Sequence, residues 1–192
     1  SGEQKISIQS FNPDFPAKST LSREEINIWF YKRYEGRTRR SVLSAIDHWH
    51  SNIRKSDQCY YHEKIVLKLE NLRSIGIIPV IVSGSSIELL KPFANELNIT
   101  QVIATKLQTK QGKYTGKIVG YPCIKNIKRI SVLSILKKEN VSTVHCHAFG
   151  DHISDAPMLQ TVGRANIIAG DHRLESLALQ NEWNIINISS TS

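Results

Sequence analysis

The chain lacks the features that would place it outside an ordinary folded domain. Its three cysteines, Cys59, Cys123 and Cys146, have no pairing spacing, which excludes a disulfide framework and makes a reducing setting the default. No apolar run reaches the ~18 residues that could span a bilayer, so no membrane span is expected. No signal-peptide pattern is visible, the Ser-Gly start without methionine reads as a processed end, and a cytoplasmic location is expected. Internal repeats and low-complexity tracts are also absent.

What is present suits one well-buried domain. At 192 residues and 40% apolar composition the chain can fold without staples and has room for a small appended subdomain. A net charge of +8 and a pI near 9.5 suit an anionic partner: a nucleic acid, an acidic surface or a phosphorylated small molecule. Charge alone does not choose among them.

From Ile77 onward, short apolar runs alternate with helical patterns: "IIPVIV", "IELLKPFANEL", "QVIAT", a helix near Ile124 to Lys138, "TVHCHAF", "APMLQTV", "ANIIAG", "HRLESLALQ" and "WNIINI". Strands spaced by helices predict βαβ units and a largely parallel sheet. "LQTKQGKYTGKIV" breaks the rhythm and reads as a β-hairpin around Gln111-Gly112, projecting from the sheet. Before Ile77, "KISIQSF" reads as a first strand, and the segment that follows is helical almost throughout. Ser22 and Glu25 have capping-box spacing, and helices are expected over Arg40 to Ile53 and Tyr61 to Ser74, the last stopped by Gly76.

Ligands of open α/β sheets bind beyond the carboxyl ends of the strands, so the residues after each apolar run are the candidates. "IIPVIVSGSS" ends in Ser83, Gly84, Ser85 and Ser86, which read either as a phosphate cradle of hydroxyl and backbone N–H groups or as an ordinary helix cap with a turn glycine. "VHCHAFGDHISD" ends in Gly150, Asp151 and Asp155. Its two carboxylates suit magnesium, which takes one or two of them and keeps several waters, or they cap the next helix.

Together these stretches resemble the haloacid dehalogenase superfamily, in its phosphoserine phosphatase-like branch. "VIVSGSS", "VIATKLQTKQGKYTGKIVGYPCIKNIK", "GDHISDAPML" and "DHRLESLALQNEWNII" match that branch in order and spacing over roughly two thirds of the chain. The resemblance implies an α/β fold with a Rossmann-like parallel sheet, a small helical cap inserted after the first strand, and the hairpin. Residues 1–20 and 60–192 would form the core and residues 21–59 the cap. It also implies that Ser83, with Gly84 and Ser85, binds the phosphate and that Lys128 holds the phosphoryl group. Asp151 and Asp155 would bind Mg2+, with a phosphorylated small molecule as the partner. Lys125 and Arg129 flank Lys128, so the residues alone read as a basic helix face.

The chain departs from the family at its first motif. The D-x-D-x-T signature, whose first aspartate attacks phosphorus and whose second is general acid and base, is absent. In one register of "KISIQSFNPDFPAKST" Asn12 stands at the nucleophile and Asp14 at the acid/base position; in the other, Ser10 and Asn12 occupy those places. Either way the nucleophilic carboxylate is missing, and an Asn12 amide near the metal would be a neutral ligand. Three explanations stay open: an engineered trap, a natural relative that binds phosphate without hydrolysing it, or Asp14 acting as nucleophile.

Other features are weaker. Arg33, Arg37, Arg39 and Arg40 either meet an acidic substrate group or form a solvated turn. His48 with His50, and His145 with His147 on one strand face, have no further ligands at a zinc-like spacing. Trp29, Tyr31 and Tyr34 read as packing residues, and with no recognised module no nucleic acid is expected. The expectation is therefore a magnesium-dependent phosphomonoester phosphatase or an impaired derivative, with Asn12, Asp14, Ser83, Lys128 and Asp151 at the site. The alternative is a non-catalytic phosphate-ligand or partner-binding protein.

Overall fold

A computed structural model describes residues 21–56 and 61–188. The expected first strand, Ser10, Asn12, Asp14 and Cys59 lie outside the described residues.

Two helices come first, α1 (Arg23–Lys32) and α2 (Arg39–Ser56). The expected capping box forms: Ser22 accepts from the Glu25 amide, and the Glu25 carboxylate accepts from the Ser22 amide at 2.7 Å. The next helix, α3 (Glu63–Ser74), stops before Gly76, whose φ of 86° takes the chain out of the helix. Alternation then sets in with β1 (Val80–Ser86), α4 (Ile87–Glu96) and β2 (Gln101–Thr105). A hairpin follows, β3 (Leu107–Lys110) and β4 (Lys113–Ile118), and then α5 (Asn126–Lys138). The chain continues through β5 (His147–Gly150), the single turn α6 (Ala156–Leu159), β6 (Arg164–Ile168), α7 (His172–Gln180) and β7 (Asn184–Ile186).

Among the described residues the strands form two parallel sheets and the hairpin. β1 pairs with β2 from Val80–Gln101 to Ser83–Ala104, after which the register shifts and Ser86 faces Thr105. β6 lies between β5 and β7, with Gly150 opposite Ile167 and Ile168 opposite Ile186. Helical crossovers between parallel neighbours make this the expected α/β class. The core is built on Ala148, Leu159, Ile167, Leu174 and Ala178, with Val82 of β1 and Val132 of α5 packed against it. Leu159, Ile167 and Leu174 are fully buried, each worth about 1.5–3 kcal/mol.

One local expectation is borne out with a refinement, and one changes. The hairpin turns at Gln111 and Gly112, both at positive φ, and stands off the parallel sheets as a two-stranded sheet of its own, clasped by the segment between α1 and α2. The Gly36 amide donates to the Tyr114 carbonyl at 2.9 Å, the Tyr114 amide to Arg37 at 2.9 Å and the Arg39 amide to Gly112 at 3.1 Å. Tyr114 is thereby buried with Val42 and Ile46. "TVHCHAF" does not form one strand: Thr143–His145 is a 3-10 turn, closed by the Cys146 amide on the Thr143 carbonyl, and β5 starts at His147. His145 and His147 therefore share no strand face, and no three metal-ligating side chains gather among the described residues. No described helix is long and apolar enough to cross a membrane.

Candidate active site

At the end of β1 the capping role falls to Ser86, not Ser83. The buried Ser86 hydroxyl accepts from the Leu89 amide at 3.3 Å and so starts α4. Burial pushes the phenol of Tyr31, in α1, up to about 12, against the lowering influence of the same serine. Ser83 is left for other work: its Oγ accepts from the Ser85 amide at 3.1 Å, which leaves its own proton to donate.

Between them Gly84 permits a close approach. A Cβ there would stand 2.8 Å from Ile124 Cγ1, so only glycine lets the segment before α5 lie against β1. The Gly84 carbonyl accepts from Asn27 Nδ2 of α1 at 2.9 Å and from the Thr105 hydroxyl at 2.7 Å. That hydroxyl in turn accepts from the Cys123 amide at 3.0 Å. One buried threonine thus fastens β1 to the chain that leads into α5 and Lys128.

At the end of β5, Lys128 Nζ donates to Asp155 Oδ1 at 2.6 Å, with the two side chains only 12% and 6% exposed. Burial pushes the neighbouring Cys123 thiol up, while the Lys128 charge and a backbone hydrogen bond from Ser83 pull it down. The Lys128 and Asp155 charges thus act in opposite directions on one buried thiol, whose Sγ lies 3.9 Å from the Ile103 carbonyl. Gly150 makes room for this pair, since a Cβ there would meet Asp155 Cβ at 2.8 Å. Asp155 stands at the cap position of α6 without capping it through its side chain. Asp151, at the start of the same loop, is exposed.

The loop is pinned from α7. Asp171 accepts from the Ile153 amide at 2.9 Å and from the Arg173 amide at 3.0 Å, and Arg173 Nη2 lies 3.2 Å from its carboxylate. The Arg173 side chain, then the Ile153 amide, hold the Asp171 carboxyl well below the usual range. Buried Ser154 receives Arg23 Nη1 of α1 at 3.3 Å and donates its amide to His152 Nδ1 at 3.0 Å. Burial, then the Arg23 charge, keep the His152 imidazole below its ordinary value.

Of the residues read from the sequence, Ser83, Gly84, Lys128 and Asp155 come together, with Ser85 and Asp151 adjoining them. Asp155 is already engaged by Lys128, which leaves Asp151 as the exposed carboxylate of the loop. Arg33 stacks at 4.1 Å over Trp29, and Arg37, Arg39 and Arg40 are exposed. The sequence reading missed Asp171, Thr105 and Arg23. An aspartate just before a helical pattern is a cap signal and marks Asp171; nothing local marks Arg23.

The family described as haloacid dehalogenase-like hydrolase matches residues 7–160. A probable phosphatase of Mycobacterium tuberculosis (strain ATCC 25618 / H37Rv) is 34% identical over 110 residues, 57% of this chain and 38% of that protein. Phosphoserine phosphatase SerB1 of the same organism is 32% identical over 105 residues, 55% of this chain and 34% of its own. The matches thus span little more than a third of these two relatives. A solved protein of unknown function from Bordetella pertussis Tohama I superposes with a TM-score of 0.75 at 19% identity, covering 88% of this chain and 75% of that one, and shares the fold.

Proposed function

Because the chain belongs to the haloacid dehalogenase-like hydrolases, in their phosphoserine phosphatase-like branch, we propose that its site takes the phosphoryl group of a phosphorylated small molecule, as a magnesium-dependent phosphomonoester phosphatase or an impaired derivative. The observation that carries this reading is the buried Lys128–Asp155 pair beside the Ser83 strand end.

The chemistry of each group supports it. Asp155 occupies one of the three Lys128 donors and holds the ammonium in place, so the others can bind equatorial phosphoryl oxygens. The Ser83 hydroxyl, freed from capping, can donate to another of those oxygens. Asp151 fits the donor set of magnesium, which needs only one or two carboxylates and fills its other positions with water. When bound there, the ion would neutralise charge on the phosphoryl group. Asp155, bonded to Lys128, would then support the phosphate side of the site, and the Asn12 amide would add a neutral ligand at most.

On this reading residues 1–20 complete the core with residues 60–192, and residues 21–59 form a small helical cap. Asp14 is the carboxylate left for acid/base or nucleophilic work. The missing first-motif aspartate favours the second reading, a phosphate-binding protein that does not turn over.

The test is magnesium-dependent release of phosphate from an aryl phosphate by the parent, Asn12→Asp and Asp151→Ala. Turnover that disappears in Asp151→Ala supports an enzyme with an unconventional nucleophile. A silent parent revived by Asn12→Asp supports an intact scaffold lacking that group. Silence in all three, with phosphate binding that Lys128→Ala abolishes, selects the binding protein.

A further inference from the structure

The protein's excess charge is concentrated on the hairpin and the turn that clasps it. Residues 32–40 carry five lysines and arginines and one acid, Glu35, and residues 106–117 carry four lysines and no acid. Their net charge equals the +8 of the whole chain, so the remainder is balanced. The fold brings these two distant segments together. The Arg39 amide donates to the Gly112 carbonyl at 3.1 Å, Thr38 bridges to Lys113, and Lys113 pairs with Lys110 across the turn. Paired residues of antiparallel strands share a face, so Lys110 and Lys113 stand side by side, with Arg39 and Arg40 at the start of α2 next to them.

We propose that this basic turn docks the protein on an anionic phospholipid surface. All four side chains are exposed, and none pairs with a carboxylate among the described residues. Two lysines directly opposite each other repel. The fold keeps them so without a neutralising acid, and headgroup phosphates and carboxylates supply the missing charge.

The shape selects a bilayer over a nucleic acid. Gln111 and Gly112 are exposed, and a Cβ at Gly112 would meet nothing within 4 Å, so the cations surround a free tip. Tyr114, the aromatic residue of the hairpin, is turned inward onto Glu88 and is 2% exposed. A single-stranded nucleic acid is held by a basic groove with rings on which its bases stack, and this tip offers neither. A bilayer asks only for cations that come within a Debye length of its headgroups.

The test is co-sedimentation with phosphatidylcholine vesicles that contain or lack phosphatidylserine, at low and at physiological salt. The protein should bind only the vesicles with phosphatidylserine, and less as salt rises. Each of Lys110→Gln, Lys113→Gln, Arg39→Gln and Arg40→Gln should weaken binding about fivefold. The variant combining them loses the same charge as a control with Lys55→Gln, Lys91→Gln, Lys137→Gln and Lys138→Gln, exposed lysines of α2, α4 and α5. Binding should be lost in the first and kept in the second; if the combined variant does not fold, the four single ones decide. Equal binding to both kinds of vesicle, binding to neither, or equal loss in the two variants overturns the proposal. So does a mixed-sequence single-stranded oligonucleotide that binds more tightly than the vesicles and is released by the same four changes, which would assign the turn to nucleic acid. None of these outcomes bears on the phosphoryl-binding reading, which aryl phosphate release tests.

Discussion

The turn after β1 is held by neutral groups, whereas the loop after β5 is held by charges. On the β1 side, Ser86 caps α4, and Thr105 and Asn27 both donate to the Gly84 carbonyl. On the β5 side, Lys128 bonds Asp155 and Asp171 pins Ile153 with Arg173 beside it. Neutral bonds fix a shape that does not depend on pH. Charged pairs fix a shape and also place an ammonium where an anion would bind, but each makes its loop depend on a partner. The β1 turn thus frees the Ser83 hydroxyl, and the β5 loop orients the ammonium.

The sharpest way to break the contrast is to strand a buried charge. Lys128→Ala leaves Asp155 uncompensated and is expected to cost about 3–5 kcal/mol in denaturant unfolding. Lys128→Met combined with Asp155→Leu should cost much less; an equal loss would mean that packing, not charge, holds the loop. On the neutral side, Thr105→Val removes the acceptor of the Cys123 amide and one donor to Gly84, at an expected cost of about 1–3 kcal/mol. That loss should be the same at pH 5 and pH 8.

The smallest effect at neutral pH, and the most specific, concerns Asp171. Its folded carboxyl lies below the ordinary value. The stability it contributes is therefore fully present above the unfolded value near 3.9 and is lost as pH falls below it toward the folded value. Melting temperatures from pH 6 down to pH 3 should fall less steeply in Asp171→Asn than in the parent. Parallel curves would remove Asp171 from the charged side of the comparison.

Much of the fold was legible because its signals are local. The Ser22–Glu25 box, the Gln111-Gly112 turn and the alternation after Ile77 all depend on residues a few positions apart. "TVHCHAF" misled because its apolar alternation is real, yet the Thr143 carbonyl is shared by the Cys146 and Gly163 amides, which turn the chain before β5 begins. The candidate site was legible as a set of strand ends but not as a division of labour. Ser83 and Ser86 look equally able to cap α4, and only the register shift that sets Ser86 opposite Thr105 separates them.

By itself the sequence determined the element order, the residues at the ends of β1 and β5 and the absence of a first-motif aspartate, since periodicity, capping and motif spacing are short-range properties of the chain. Tertiary structure alone decided that Asp155 answers Lys128, 27 positions away, and that Arg23 reaches Ser154 across 131. Electrostatic and hydrogen-bond energies depend on distance in space, and packing around Leu159, Ile167 and Leu174 sets that distance with no trace in the local pattern.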